Sequence, residues 1–332
     1  MSVSKGLGLE RLRASSVDLE QRLLVGALAL FWAWLLVRWV YDFALSRTGF
    51  GPGEGEPFLS SAPLEAVAET LEGSVIALGP VHIPLEWPAA FVDGLALAID
   101  IGPALATGAW YTVVITSVAI VLGFFIAVPV AVLRVYGGPF RWLSLTYTEL
   151  IRGTPLLAQL FVLYYTPYLP IWLNDMEVVG HGFVPDYAFW IAIIGFTING
   201  SAYQAEYIRG ALESVDDGQL TAARAIGLSK LEGIRHVVLP QTLRYAIPAW
   251  TNELVYLIKY SSLAGFITVP ELYYRASRIA SSTFEYTPIF TLLAIVYIGI
   301  VLSATNLMDR VERRVAVPGI GSADGRQQGT TE

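Results

Sequence analysis

From Ile101 to Leu133 the chain carries no charged residue. A helix needs about 20 mostly apolar residues to cross a bilayer, and a compact globule could not cover so long an apolar stretch. Further charge-free runs of that order occupy 153–174, 187–205 and 286–308. Two more segments qualify with polar interruptions. One is 22–45, where Arg38 and Asp42 stand four apart and can pair on one helix face. The other is 240–268, interrupted by Arg244, Glu253 and Lys259. The composition agrees, at 55% hydrophobic and 15% charged, against roughly 25% charged in soluble domains. The expected fold class is all-α integral membrane, with about six transmembrane helices.

The same sequence excludes several kinds of chemistry. Cysteine is absent, so there is no disulfide framework, thiolate metal site or cysteine nucleophile. His82, His181 and His236 lie far apart and form no His-x-x-x-His pair. No Gly-x-x-x-x-Gly-Lys-Ser/Thr loop occurs, so the chain itself is not expected to bind and hydrolyse ATP. No cofactor, metal, catalytic residue or nucleic-acid partner is expected.

Charge placement sets the topology, because Lys and Arg gather on the cytoplasmic side of a membrane. Threading six spans with the N-terminus inside puts Lys5, Arg11, Arg13 and Arg22 in the cytoplasm. Arg134, Arg141 and Arg152 join them, then Arg209, Arg224, Lys230, Arg235 and Arg244, then Arg310, Arg313, Arg314 and Arg326. Arg47, Arg275 and Arg278 fall outside, with Arg38 and Lys259 within spans. Both termini are therefore expected in the cytoplasm. The first apolar stretch is long and aromatic (Trp32, Trp34, Trp39, Tyr41), with no small-x-small cleavage site after it. That favours a retained helix over a removed signal peptide.

The chain then divides into a cytoplasmic N-terminus (1–21), an extra transmembrane helix (22–45) and an outer segment (46–103) rich in Gly, Pro and acids. Between Thr48 and Leu133 stand Glu54, Glu56, Glu65, Glu69, Glu72, Glu86, Asp93 and Asp100, and no Lys or Arg. Such a surface suits the high-salt habitat of a halophilic prokaryote; it also follows from the simple exclusion of positive charge from the outer face. Gly79, Pro80, Pro84 and Pro88 forbid a continuous helix there, while 89–102 can form a helix lying along the interface. Residues 104–314 hold the remaining spans. The tail, 315–332, is Gly-rich and polar and is expected to be disordered in the cytoplasm.

The most informative cytoplasmic segment is Val215–Gln241, which reads as two short helices with a break. Asp216 or Asp217 can cap the first, which runs through Ala222, Ala223 and Ala225. Gly227 suits the left-handed position that closes a helix. Ser229 and Glu232 make a capping box that opens the next, and Pro240 fits the first turn of a third. A short helix without bulky side chains can press its backbone into a groove on another protein; it can equally be an ordinary interfacial loop.

This loop resembles the Glu-Ala-Ala signature of ABC importer permeases: Glu-Ala-Ala, three residues, Gly, nine residues, Ile-x-Leu-Pro. Ala222, Ala223 and Gly227 match, followed by Leu228–His236 and then Val237, Val238, Leu239 and Pro240. Gly218 and Gln219 precede it as in the polar amino acid branch, but Thr221 stands where the family usually has Glu. Residues 149–159 (ELIRGTPLLAQ) are similar to the Arg-Gly-Thr-Pro-Leu-Leu-x-Gln segment of histidine, glutamine and arginine permeases. Residues 202–210 (AYQAEYIRG) are similar to their Ala-Tyr-x-Ala-Glu-x-x-Arg-Gly. Residues 257–263 (LIKYSSL) are similar to their Leu-x-Lys-Asp-Thr-Ser-Leu, with Tyr260 and Ser261 as departures.

The resemblance covers about 104–314 and implies a type I importer: a five-helix permease core, here with an extra N-terminal helix. Its implied partners are a dimer of ABC ATPase subunits using ATP and Mg, an external amino-acid-binding protein, and a second permease, identical or paralogous. The ATPase-coupling residues would be Gly218, Gln219, Thr221, Ala222, Ala223, Gly227, Leu239 and Pro240. Within the spans, Asn252, Tyr256 and Lys259 share one helix face and are candidates to line a substrate path, Lys259 attracting a carboxylate; a snorkelling lysine with a structural partner is the plainer reading. Asn199 and Tyr203 repeat this spacing with Glu206, which is expected to meet Arg209 or Arg152. Thr154, Gln159 and Ser262 complete the candidate path. The alternatives are the same fold carrying another small polar solute, or an ATP-independent channel or membrane sensor.

Overall fold

The computed structural model describes residues 3–48, 51–72, 74–78, 81–84, 86–181 and 184–315. Helix α1 (Val3–Val40) widens into a π-helical turn, Tyr41–Leu45. Helix α2 (Ala62–Glu72) follows, then an antiparallel hairpin of β1 (Val75–Leu78) and β2 (Val81–Pro84). Next come α3 (Glu86–Tyr136), α4 (Arg141–Arg152), α5 (Leu156–Tyr165), α6 (Tyr168–Asn174) and α7 (Tyr187–Ser214). Helices α8 (Asp217–Ala225) and α9 (Lys230–Gly233) lead through a π turn, Ile234–Val238, into α10 (Leu239–Tyr260). A 3₁₀ segment, Ser261–Ile267, precedes α11 (Leu272–Thr283) and α12 (Tyr286–Val315).

Among the described residues, three helical stretches are long and apolar enough to cross a membrane: Glu20–Leu45, Glu86–Tyr136 and Tyr286–Val315. The pair α5 and α6 qualifies as one broken span, bent by 64°. Pro155 and Pro167 sit at the N-terminal boundaries of these two helices, where their missing N–H groups cost least.

Several boundaries differ from the sequence expectation. The interfacial helix expected over 89–102 is one continuous helix with the span that follows it. Pro88 lies in its first turn, where no N–H is required. The fifth span, expected over 240–268, ends as α-helix at Tyr260 and finishes in the 3₁₀ segment, closed by Thr268 in the left-handed region at φ 68°. Pro240 does not open a separate helix: the helical path from Lys230 continues into α10. A proline ring collides with the carbonyl four residues before it, and the widened turn stands at that place. The all-helical expectation also omits the β1–β2 hairpin, which occupies the Gly/Pro-rich stretch. The tail after Val315 lies outside the described residues.

The structure divides into two units, and the first comprises Met1–Tyr111 with Pro270–Gly299. Its centre is the fully buried Arg38, whose Nε and Nη2 grip Asp42 at 2.8 and 2.7 Å. Arg38 Nη1 donates to the Glu56 carbonyl at 2.6 Å, and its guanidinium lies 4.7 Å from the Phe58 ring centroid. Asp42 also accepts from the Gly55 amide, and the Tyr41 hydroxyl donates to the Pro52 carbonyl. The ion pair between α1 and the π turn therefore also anchors the outer chain from Pro52 to Phe58. Trp39 donates to the Ala106 carbonyl at 2.6 Å and ties α1 to α3.

The second unit comprises Thr112–Val269 with Ile300–Glu332. Helix α7 is its most enclosed element, with small buried residues Gly195, Gly200, Ser201, Ala202 and Ala205. Without a hydrophobic drive between helices in lipid, such residues let backbones approach closely. Ala205, Ile208 and Leu212 pack with Ala127 and Ala131 of α3 and with Val238 and Ala246.

Candidate coupling loop and substrate path

The loop between α7 and α10 is built as its sequence requires. Asp216 caps α8, its Oδ1 accepting from the Gly218 amide. Gly227 sits at φ +94°, the left-handed conformation that only glycine adopts without strain. Ser229 and Glu232 complete a reciprocal capping box at α9. The Ser229 hydroxyl, then its amide, donate to the carboxylate and hold Glu232 below its ordinary range. The two helices meet at Gly233, where an added Cβ would stand 2.9 Å from Leu220 Cδ1 and 3.3 Å from Ala223 Cβ.

This contact corrects one part of the sequence reading. The alanines are not a uniform outward surface: Ala223 is buried inside the loop, while Gly218, Gln219, Thr221 and Ala222 are exposed. Thr221 Oγ1 bonds back to the Asp217 carbonyl at 3.3 Å. Leu239 is half-buried and Pro240 exposed. At the tip, Ile226 and Leu231 are 80% and 71% exposed. Sequence pattern did not single them out; two apolar residues flanking the Gly227 break were the available signal.

The candidate path residues fall into separate groups. Gln159 Nε2 donates to the Ile151 carbonyl at 2.7 Å and to Thr154 Oγ1 at 2.8 Å, while its Oε1 accepts from Asn199 Nδ2 at 3.1 Å. Thr154, Gln159 and Asn199 thus form one network joining α4, α5 and α7. Tyr203 lies under Arg152, whose guanidinium is 5.3 Å from its ring centroid. Glu206 meets both expected arginines, Arg209 at 3.0 Å and Arg152 at 3.7 Å.

On α10, Asn252, Tyr256 and Lys259 lie exposed together with Tyr245 and Tyr260. The Lys259 ammonium is 5.9 Å from the Tyr256 ring centroid, and Tyr256 and Tyr260 stack at 5.9 Å. Ser262 Oγ donates to the Lys259 carbonyl at 3.0 Å. No hydrogen bond or ion pair among the described residues joins this stripe to Gln159 or Asn199.

Another face of α10 carries a buried polar seam that the sequence reading passed over. Glu253, 4% exposed, accepts from the Tyr207 hydroxyl of α7 at 3.3 Å. Trp250 Nε1 donates to Gln204 Oε1 at 2.6 Å. Helical spacing separates Glu253 from the Asn252–Lys259 stripe, but it does not reveal which face meets a neighbouring helix.

A family model described as "Binding-protein-dependent transport system inner membrane component" matches residues 97–317. The chain is 35% identical over 234 residues to the probable amino-acid ABC transporter permease protein YckA of Bacillus subtilis, covering 70% of this chain and 97% of that one. It is 33% identical over 219 residues to the glutamine transport system permease protein GlnP of Escherichia coli, covering 65% and 94%. Among solved structures, an amino acid ABC transporter crystallised with histidines matches at TM-score 0.54 and 30% identity, over 64% of this chain and 94% of that one. An inward-facing MetNI methionine ABC transporter matches at TM-score 0.57 and 21% identity, over 65% and 98%, and supports the fold alone.

Proposed function

Since this chain belongs to the binding-protein-dependent transport system inner membrane components, we propose that it is the multi-pass permease of an ATP-driven importer of polar amino acids in the cytoplasmic membrane. Relatives named as amino-acid and glutamine permeases support the cargo class. The six spans are α1, α3, the α5–α6 pair, α7, α10 and α12, with both termini inside. Residues 104–314 form the permease core; 1–103 add α1 and the outer segment. The partners are a dimer of ABC ATPases that supplies ATP and Mg chemistry, an external binding protein, and a second permease, identical or paralogous.

The single observation that carries the coupling role is the capped helical knob between Asp216 and Pro240, with Ile226 and Leu231 projecting from its tip. Two large apolar side chains this exposed mark a contact surface when they stand on a rigid frame. The knob fits a cleft on an ATPase, whose closure then drives the permease between inward and outward openings. For the path, the argument is the cost of charge. A lysine facing lipid at mid-bilayer costs about 2.5–3.5 kcal/mol on insertion scales, so the exposed Lys259 stripe turns toward a water-filled path between two permeases.

The cysteine-free sequence makes the test direct. A single Ile226→Cys variant should cross-link to the partner ATPase, and a membrane-impermeant thiol reagent should reach it only from the cytoplasmic side. Labelling from outside the cell would overturn both topology and coupling.

A further inference from the structure

Within the segment that resembles Leu-x-Lys-Asp-Thr-Ser-Leu, this chain has Tyr260 in place of the acid. The exposed stripe of α10 therefore carries the Lys259 cation, the Asn252 amide and the stacked phenols of Tyr256 and Tyr260, with no carboxylate among them. Lys259 makes no ion pair among the described residues. Glu253, the one carboxylate on this helix, is buried and turned to Tyr207. Arg244, toward the other end of α10, only adds positive charge.

We propose that the path selects cargo without net positive charge: zwitterionic and anionic amino acids. The inference rests on reading this stripe as a wall of the path. Lys259 takes the α-carboxylate, or a side-chain carboxylate, through a charge-assisted hydrogen bond. The Asn252 carbonyl and the phenol oxygens accept from the ammonium group. A cationic side chain meets an unpaired like charge at close range, and rejection by an unpaired charge is an effective way to build specificity. The aromatic faces do not offset this, because the Lys259 ammonium already lies over Tyr256.

The test is equilibrium binding of labelled glutamine, glutamate and arginine to the purified permease–ATPase complex without the binding protein, so that only the permease selects. Glutamine or glutamate should bind at least tenfold more tightly than arginine. Lys259→Met should abolish the preference for glutamate over arginine, and Tyr260→Asp should strengthen arginine binding, with ATPase co-purification reporting intact assembly. Arginine binding as tightly as the other two would overturn the charge rule. If Lys259→Met weakened all three amino acids equally, the path reading would stand and the charge rule would fall. If neither variant changed any binding, or the complex bound none of the three, the stripe would not be the recognition surface and both readings would fall.

Discussion

Gly227 offers a way to strain the coupling loop without touching the membrane bundle. Its φ of +94° lies in the left-handed region, and a Cβ placed there would meet nothing within 4 Å. A substitution therefore acts through the backbone alone. An L-residue in that region costs roughly 1–2 kcal/mol, and a β-branched one lies toward the upper end of the 1–3 kcal/mol seen for strained positions. One to two kcal/mol shifts a two-state equilibrium by a factor of roughly 5–30. Docking that requires the native loop should weaken by about that factor in Gly227→Ala and further in Gly227→Val. Asn tolerates the left-handed conformation, so Gly227→Asn should stay within about twofold of the parent. The assays are ATPase co-purification and ATP-driven uptake in proteoliposomes, with membrane insertion as the control. A Val variant that docks and transports like the parent would refute the reasoning. So would an Asn variant that falls as far as Val, since the cause would then be bulk and not φ.

Two further outcomes follow from buried charge and from the capping box. Arg38→Met leaves a buried Asp42 without its partner, which typically costs about 3–5 kcal/mol; hydrogen exchange and proteolysis at 52–58 should accelerate, and pairing it with Asp42→Leu should recover most of the loss. Ser229 holds the Glu232 carboxyl below its ordinary range, so its stabilisation of α9 is complete above the unfolded value, about 4.3, and is lost as pH falls through the folded value. The protection of α9 amides, taken relative to their intrinsic exchange at each pH, should therefore be flat near neutrality and fall in acid, and Glu232→Gln should remove that fall.

Local rules made much of the loop legible. The α8 cap, the Gly227 conformation and the Ser229–Glu232 box each depend on residues within three or four positions, and spacing identifies them, although the choice of Asp216 over Asp217 for the cap came from the structure. The Arg38–Asp42 pair was legible for the same reason, but its grip on the Glu56 carbonyl was not, because that contact spans 18 positions across an irregular loop. The spans were legible as apolar lengths, and their ends were not. Ala223 illustrates the difficulty within the candidate site: its identity suggested an open surface, whereas burial depends on Gly233 ten residues later. Glu253 was hidden by the same limit. A carboxylate in a span demands a partner, but only packing reveals that the partner is Tyr207 and not Lys259.

The absence of a break between the knob and the polar stripe has a mechanical consequence. From Lys230 through the π turn to Tyr260 the helical path is uninterrupted, so Leu231 and Lys259 are about 40 Å apart on one element at 1.5 Å per residue. A helix resists compression far better than a loop, so on the proposed docking a displacement at the tip reaches the stripe along one element. This element is weaker than ideal helix at the π turn, where hydrogen bonds are wider and Pro240 removes a donor nearby, and again at Pro248 inside α10. The π turn lies beside the knob, and Pro248 stands four residues before Asn252 of the stripe. Rotation at either point would turn Asn252, Tyr256 and Lys259 relative to the knob. On the proposed coupling role, one helical element then carries the driven tip at one end and the polar stripe at the other.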